Sequence, residues 1–334
     1  MNGNPPPPDV LVVPNFKDRR TGLIIFGILE MLLGGLAALM VPLMVAGQLM
    51  ASRATREPVP LRQIIPGMAV YIIIAAVLVG LGIGSVKSRR WARALSLIVA
   101  WSWLVMGVLI VGLMAFFLPS VLKASQPQGQ TLPGPAQAVV MVISLVFMGI
   151  LFVVVPGVLV FFYQSRHVKG TCEARDPLPG WTDACPLPVL ALSLWLWLCA
   201  VTLLAVPLYT NGVLPVFGVL LSGLVGWLCC WMLAALWGYC GWAIYRLRTV
   251  GWWIVLISLF VMAASAWVTF TRIDLMEMYR HMGYSERQIE MMKQVSLIQN
   301  PRMAYFSLAG IVPMVGLLLF VKRYFRSSAA KAGI

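Results

Sequence analysis

The chain has little charge and almost no histidine. Only 11% of its 334 residues are charged, whereas 60% are apolar. Soluble domains carry roughly 25% charged residues, so this composition excludes a soluble globular protein and a disordered chain. The two histidines, His167 and His281, fall outside the long apolar segments. A haem group held between histidines inside a membrane is therefore excluded as well.

Sequence motifs of the common enzyme classes are also missing. The chain has no H-E-x-x-H zinc motif, no G-x-x-x-x-G-K-[ST] phosphate loop and no G-x-S-x-G nucleophile motif. Its glycine-rich stretch at 80–84 lies at the end of an apolar segment, where it predicts helix packing and not a nucleotide-binding loop. No motif therefore identifies a reaction or a cofactor.

Long apolar segments fill most of the chain. A helix needs about 20 apolar residues to cross roughly 30 Å of hydrocarbon, and its backbone groups must be paired within the helix. Eight segments meet this length: 23–48, 65–86, 91–118, 136–163, 187–209, 213–245, 251–271 and 303–324. The predicted fold is all-α, a polytopic transmembrane bundle of eight helices surrounded by lipid.

Basic residues predict the orientation of this bundle. Sixteen of the 25 Lys and Arg residues fall on the side that holds both chain ends, and such an excess is typical of the cytoplasmic side. We therefore expect cytoplasmic tails at 1–22 and 327–334 in a cell (inner) membrane. The first apolar segment is too long for a cleavable signal. Topology explains the net charge of +14, so nucleic-acid binding is not expected.

The two halves of the sequence resemble each other. Similar residues recur in the same order: Val41-Pro42-Leu43 with Val206-Pro207-Leu208, Gly80 with Gly241, Trp91 with Trp252, and Arg166 with Arg323. The pattern predicts a tandem duplication of a four-helix unit, at 23–165 and 189–326, with a cytoplasmic linker at 166–188. Because each unit has an even number of helices, the copies would be related by an axis along the membrane normal.

Glu30 is an acidic residue inside the first apolar segment. It follows Arg20 by ten residues, or about 15 Å of helix, which predicts a position near mid-bilayer. A carboxylate there is costly and often marks a proton or ion path. Glu30 is therefore a candidate proton or cation site. The alternative is a protonated glutamate that is hydrogen-bonded to a neighbouring helix, which Gly34 and Gly35 would allow to approach closely.

Two polar segments hold the remaining candidate residues on the predicted cytoplasmic side. The turn after the second helix is basic, and its side chains are candidate contacts for anionic lipid head groups: Lys87, Arg89, Arg90 and Arg93. In the linker, His167, Cys172 and Cys185 are weak candidates for metal ligands. Their spacing differs from the short Cys-x₂₋₄-Cys pattern of structural zinc sites, so an ordered linker without metal is the alternative.

A helical hairpin is predicted at 273–300, on the opposite side. Apolar residues recur there at helical spacing, Gly283 can end a first helix, and Ser285 to Gln288 form a capping box for a second. The hairpin is expected either to cover the helix ends as a lid or to bind a protein partner through its methionines.

Three functions remain compatible with the sequence. The first is a non-catalytic scaffold or accessory subunit of a membrane assembly, which fits the lack of catalytic motifs. The second is a transporter or channel, proton-coupled through Glu30. The third is a membrane-embedded enzyme that modifies lipid, and only the Cys, His and Asp residues of the linker support it.

Overall fold

The computed structural model describes residues 16–55, 61–124, 134–284, 286, 288–290 and 311–331. Most of this part of the chain is helical. The long helices are α1 (Arg20–Thr55), α2 (Leu61–Val86), α3 (Arg90–Ala124), α4 (Gly134–Gly149), α5 (Val155–Gln164), α7 (Leu187–Thr210), α8 (Gly223–Tyr245), α9 (Thr249–Arg272) and α11 (Ile311–Lys331). The short elements are α6 (Arg166–Arg175), a 3₁₀ turn (Trp181–Asp183), β1 (Leu214–Val216), β2 (Val219–Leu221) and α10 (Leu275–His281).

Seven of the described helical segments are long and apolar enough to cross a membrane. Together with the exposed apolar side chains along them, they confirm the predicted all-α, multi-pass membrane fold. The eighth predicted segment, 303–324, is described only from Ile311, where α11 begins. Residues 303–310 lie outside the described residues, so a count of eight spans stays a prediction.

The bundle has two distinct ends. At one end, which we call the linker end, α2 and α5 stop and α6 follows; Arg89 of the turn before α3 forms an ion pair with Asp176 at 3.2 Å. At the other, the hairpin end, α7 stops and the side-chain amide of Asn211 donates to the carbonyl of Met282 at 2.8 Å. The linker is thus folded onto one face of the bundle and α10 lies on the other.

The fourth apolar segment is one continuous helix with a widened turn. A π-helix at Ile150–Val154 joins α4 to α5. Pro156 explains it, because proline has no N–H to donate to the carbonyl of Phe152, four residues earlier. That carbonyl lies directly against Gly107 of α3, and a side chain at position 107 would block the contact.

The sixth apolar segment differs from its prediction. The sequence predicted a helix from 213 onward, but α8 begins only at Gly223, and β1 and β2 pair as an antiparallel hairpin before it. The turn residues Phe217 and Gly218 have φ of 47° and 81°, and positive φ at both central residues is the geometry that joins two-residue hairpins. Pro215 also disfavours a helix across this stretch.

Glycines allow α1 and α2 to pack closely. A Cβ on Gly82 would lie 2.5 Å from the carbonyl oxygen of Gly27, and a Cβ on Gly27 would lie 2.8 Å from that of Gly82. About two helical turns farther along α1, a Cβ on Gly34 would lie 2.8 Å from Cγ2 of Val79 on α2. Small residues at such a crossing are typical of membrane helices, since association there depends on close van der Waals packing.

Two helix ends at the linker end have the same backbone turn. After α2, Ser88 has φ of 54° and Arg89 N–H donates to the Gly84 carbonyl at 2.9 Å. After α8, Leu247 has φ of 56° and Arg248 N–H donates to the Ala243 carbonyl at 2.8 Å. Both are helix terminations of the Schellman type, in which a left-handed residue returns the chain to the last helical turn.

A short helix, α10, lies in the first part of the segment predicted to form a hairpin. The Asp274 carboxylate accepts from Met276 N–H at 2.9 Å at the start of α10, and Gly283, with φ of 87°, follows its end. Ser285, Arg287 and residues 291–300 lie outside the described residues, so the capping box and the second helix stay predictions.

Candidate functional site

Glu30 lies in a closed polar cluster between helices of the first half. Its side chain is 3% exposed, and its Oε2 accepts a hydrogen bond from Ser85 Oγ of α2 at 3.3 Å. Ser85 Oγ is in turn 3.0 Å from the hydroxyl of Tyr163 on α5. Either hydroxyl can be the donor in this second contact, because each carries one proton and can also accept. The result is a short chain of hydroxyl groups ending at the carboxyl group.

A fourth polar residue completes this cluster. Ser96 of α3 is 2% exposed and lies close enough to interact with both Glu30 and Tyr163. Its Oγ makes no hydrogen bond of good geometry with the described residues. We call Glu30, Ser85, Ser96 and Tyr163 the polar cluster. Four different helices contribute to it, and its hydrogen bonds join α1, α2 and α5.

The depth predicted for Glu30 needs correction. Its neighbours Ser85 and Tyr163 are each the last residue but one of their helices, so Glu30 lies near the linker end and not halfway along the bundle. The estimate from sequence assumed that α1 enters the membrane at Arg20. In the structure, Leu23 packs against Val168 and Cys172 of the linker, so the first turn of α1 lies at the level of the linker.

A cleft of about 150 Å³ opens at the linker end, between the start of α3 and the linker. Its polar lining residues are Arg90, Arg93, Lys169, Glu173, Thr182 and Asp183. The ion pairs within it are loose: Arg90 is 3.4 Å from Glu173 and 3.7 Å from Asp183, and Lys169 is 3.7 Å from Glu173. Glu30 does not line this cleft.

Three buried polar atoms around this cleft have no hydrogen-bond partner among the described residues. They are Nε of Arg90, Nε of Arg93 and Oγ1 of Thr182. Thr182 is 3% exposed, and Arg93 forms no ion pair with any residue of the described part of the chain. Leaving a buried donor unpaired typically costs about 1–3 kcal/mol, so these groups are poorly satisfied by the protein alone.

The predicted metal ligands are not brought together. Cys172 and Cys185 line the cleft, but His167 accepts from the backbone N–H of Lys17 at 3.2 Å, at an exposed position. Within the ranges that the structure describes, no group of three His, Cys, Asp or Glu residues is arranged to hold a metal ion. The sequence spacing did not exclude such a group, because the twelve residues between Cys172 and Cys185 allow many loop conformations.

The surroundings of the two cysteines in the cleft favour the protonated form of their thiols. Burial raises the pKa of the Cys172 thiol and of the Cys185 thiol to about 11 each. At neutral pH both are neutral thiols, and the thiolate is the form that attacks substrates and binds metals. The cleft therefore offers donors and positive charge but no activated nucleophile.

The basic turn divides between two surroundings. Lys87 and Arg89 are exposed at the linker end, whereas Arg90 and Arg93 point into the lining of the cleft. The backbone N–H of Arg90, at the start of α3, donates to Asp176 Oδ2 at 3.2 Å. The four residues grouped by sequence thus form one exposed pair and one enclosed pair.

Sequence reasoning missed several members of both sites. Ser85, Tyr163, Lys169 and Thr182 were not singled out, although Ser85 is a polar residue at the end of an otherwise apolar segment. An aromatic residue such as Tyr163 at a helix end is ordinary for the membrane interface. Thr182 carries no local signal, because its role depends on how the linker folds against α3.

No protein-family model, no curated protein and no solved structure matches the chain.

Proposed function

We propose that this protein is a non-catalytic integral membrane protein that acts as a scaffold or accessory subunit of a membrane assembly. The observation that carries the proposal is the closure of the polar cluster: Glu30 is buried, bonded to Ser85 and absent from the cleft. A carboxyl group that loads protons or cations from water needs a path to water. Enclosed between helices, Glu30 instead joins α1 to α2 directly and to α5 through Ser85.

The surroundings of the cleft support the same proposal against a lipid-modifying enzyme. The neutral thiols of Cys172 and Cys185 provide no nucleophile, and His167 lies apart from them. Nucleophilic catalysis needs a base within hydrogen-bond reach of the attacking group. The proposal also includes the predicted setting, a cell (inner) membrane with both chain ends in the cytoplasm and with Lys87 and Arg89 at anionic lipid head groups.

Proton flux through proteoliposomes tests the proposal against the transporter alternative. We expect vesicles that contain the wild-type protein to dissipate an imposed pH gradient no faster than protein-free vesicles, as reported by an enclosed pH-sensitive dye. The matched variant is Glu30→Gln, which keeps the side-chain size and cannot ionise. Proton flux that is present in the wild type and lost in Glu30→Gln would establish a proton-coupled transporter instead.

The hairpin end fits a lid better than a binding surface. Met276, one of the methionines predicted to contact a partner, is buried, and the side chain of Asn211 donates a hydrogen bond to the carbonyl of Met282.

In Asn211→Ala we expect the free energy of unfolding to fall by about 1 kcal/mol and amide hydrogen exchange across Leu275–His281 to become faster. Thr202→Ala, which removes a hydroxyl bonded only within its own helix, serves as the control. If deletion of 273–300 shrinks a native membrane assembly, the partner alternative is correct.

The contacts between helices support the predicted duplication. Gly241 of α8 lies against Ser193 and Trp197 of α7, just as Gly82 of α2 lies against α1. The shared turns after α2 and α8 extend this correspondence. These two observations favour an alignment in which Gly82 is equivalent to Gly241, two residues away from the sequence match of Gly80 with Gly241. Glycines recur here at every second position, so the sequence alone leaves both alignments open.

Under the proposed duplication, the register of these contacts suggests which residues are equivalent in the two halves. Counting from the helix crossings, Glu30 corresponds to Leu196 and Ser85 corresponds to Ile244. On α9, Gly251 meets Ala243 as Ala92 meets Gly84, which relates Ser96 to Val255. The three second-half equivalents are apolar and 0% exposed: Leu196, Ile244 and Val255. Under the duplication, the first half has a polar cluster at positions where the second half has buried apolar residues.

A further inference from the structure

The cleft at the linker end contains more donors than the protein can satisfy. Arg93 has no carboxylate partner among the described residues, and its Nε is buried without an acceptor. The Thr182 hydroxyl, almost wholly enclosed, is in the same state. Both line one cleft with Arg90, whose Nε is also unpaired. Three residues that line one cleft thus each contain an unpaired buried donor, which is expected where an acceptor has to come from outside the chain.

The charge around the cleft favours a negatively charged acceptor. Arg90, Arg93 and Lys169 face Glu173 and Asp183, so one positive charge remains uncompensated. The carboxylates are 3.4–3.7 Å from their cationic partners, longer than the 2.7–2.9 Å of strong charge-assisted bonds. An anion would therefore meet cations that are not already committed to tight pairs. A guanidinium group also presents its donors in a planar fork that suits phosphate oxygens.

The architecture of the linker holds these donors in place. The backbone N–H of Gly180 donates to Asp183 Oδ2 at 3.0 Å and fixes the 3₁₀ turn that carries Thr182. The hydroxyl of Tyr245, on α8, donates to the carbonyl of Trp181 at 2.9 Å. On the other side, Asp176 holds the first N–H of α3. The cleft is thus lined by α3 and the linker, and α8 holds the linker in place through Tyr245.

We propose that this cleft binds a single phosphate group through Arg93, Arg90, Thr182 and Lys169. The group belongs either to a soluble phosphate or to the head group of a phosphate-bearing lipid, because the cleft opens where α3 leaves the linker and begins its apolar course. The site is distinct from the exposed head-group contacts of Lys87 and Arg89, and it does not depend on the proposed scaffold function.

Thermal unfolding of the full chain in an uncharged detergent tests the proposal. The midpoint Tm is followed by tryptophan fluorescence with increasing potassium phosphate, against potassium chloride at equal ionic strength. A second series uses short-chain phosphatidic acid, against diacylglycerol of the same chains. Because a ligand of the native state raises Tm by mass action, phosphate-bearing probes are expected to raise it and their matched controls are not.

Three variants connect the shift to the cleft. Arg93→Gln and Thr182→Val each remove an unpaired buried donor, so both are expected to fold with an undiminished Tm in the absence of ligand. Binding should weaken about tenfold or more in Arg93→Gln, and in the same direction in Thr182→Val. Arg166→Gln removes one exposed positive charge at the start of α6 without touching the cleft, and it should bind like the wild type.

The outcomes separate the sources and decide the proposal. Stabilisation by inorganic phosphate that is weakened in Arg93→Gln identifies a site for soluble phosphate. Stabilisation by phosphatidic acid alone, with the same loss, identifies a lipid head group. If neither probe raises Tm beyond its control, if Arg93→Gln binds as tightly as the wild type, or if Arg166→Gln weakens binding equally, the proposal is overturned.

Discussion

Replacing Glu30 by lysine is expected to remove at least about 3 kcal/mol of the stability of the helical bundle. The site is enclosed and its neighbours are hydroxyl groups, with no carboxylate left to pair an ammonium group. An uncompensated charge in such surroundings typically costs about 3–5 kcal/mol. The measurement is the midpoint of unfolding of the purified protein, followed by tryptophan fluorescence in denaturant.

Glu30→Gln is the matched control for this variant. Its side-chain carbonyl can accept the hydrogen bond from Ser85, so a loss below about 1 kcal/mol is expected. If the lysine and glutamine variants unfold at the same midpoint, Glu30 has access to water and the closed cluster is not its native state. The same comparison thereby tests the geometric basis of the proposed function, independently of any flux measurement.

A single methyl group at Gly82 is expected to have the second large effect. In Gly82→Ala the new Cβ would lie 2.5 Å from both the Gly27 carbonyl oxygen and Met31 Cγ. Because a backbone atom cannot turn away, α1 and α2 must separate, and overpacking of this kind typically costs about 1–3 kcal/mol. The loss is read from the unfolding midpoint and from the rate of amide hydrogen exchange along α2.

Gly80→Ala provides the control on the same helix. A Cβ at position 80 would meet no atom within 4 Å, so the variant is expected to be neutral, or slightly more stable through the helix propensity of alanine. Equal losses in the two variants would mean that helix flexibility, and not the close crossing, sets the effect. A stable Gly82→Ala protein would contradict the packing of α1 on α2.

The membrane helices could be predicted from sequence because one physical requirement decides them. An apolar segment of sufficient length in lipid must pair its own backbone groups, and no knowledge of its neighbours is needed. The prediction was wrong at residues 213–222 for the same reason. Leucine and valine are apolar in a strand as well as in a helix, so hydropathy extended α8 across a hairpin that Pro215 and Gly218 define.

The sites were less predictable because they depend on pairs of residues far apart in the chain. Glu30 was recognised by its charge, but its contacts with Ser85 and Tyr163 depend on the register between helices. The basic turn was recognised too, yet only the folded linker separates exposed Lys87 from enclosed Arg93. Local patterns identify unusual residues, whereas tertiary packing determines which of them meet.

The unequal lengths of the helices bear on the choice of host membrane. Helices α1 and α3 have 36 and 35 residues, or about 54 and 52 Å at 1.5 Å per residue. Helices α7 and α9, in the second half, have 24 residues each, or about 36 Å. Against roughly 30 Å of hydrocarbon, α1 and α3 must tilt or project, while α7 and α9 nearly match. Hydrophobic mismatch of this kind can sort proteins between thick and thin bilayers, and here it would act on only one side of the molecule.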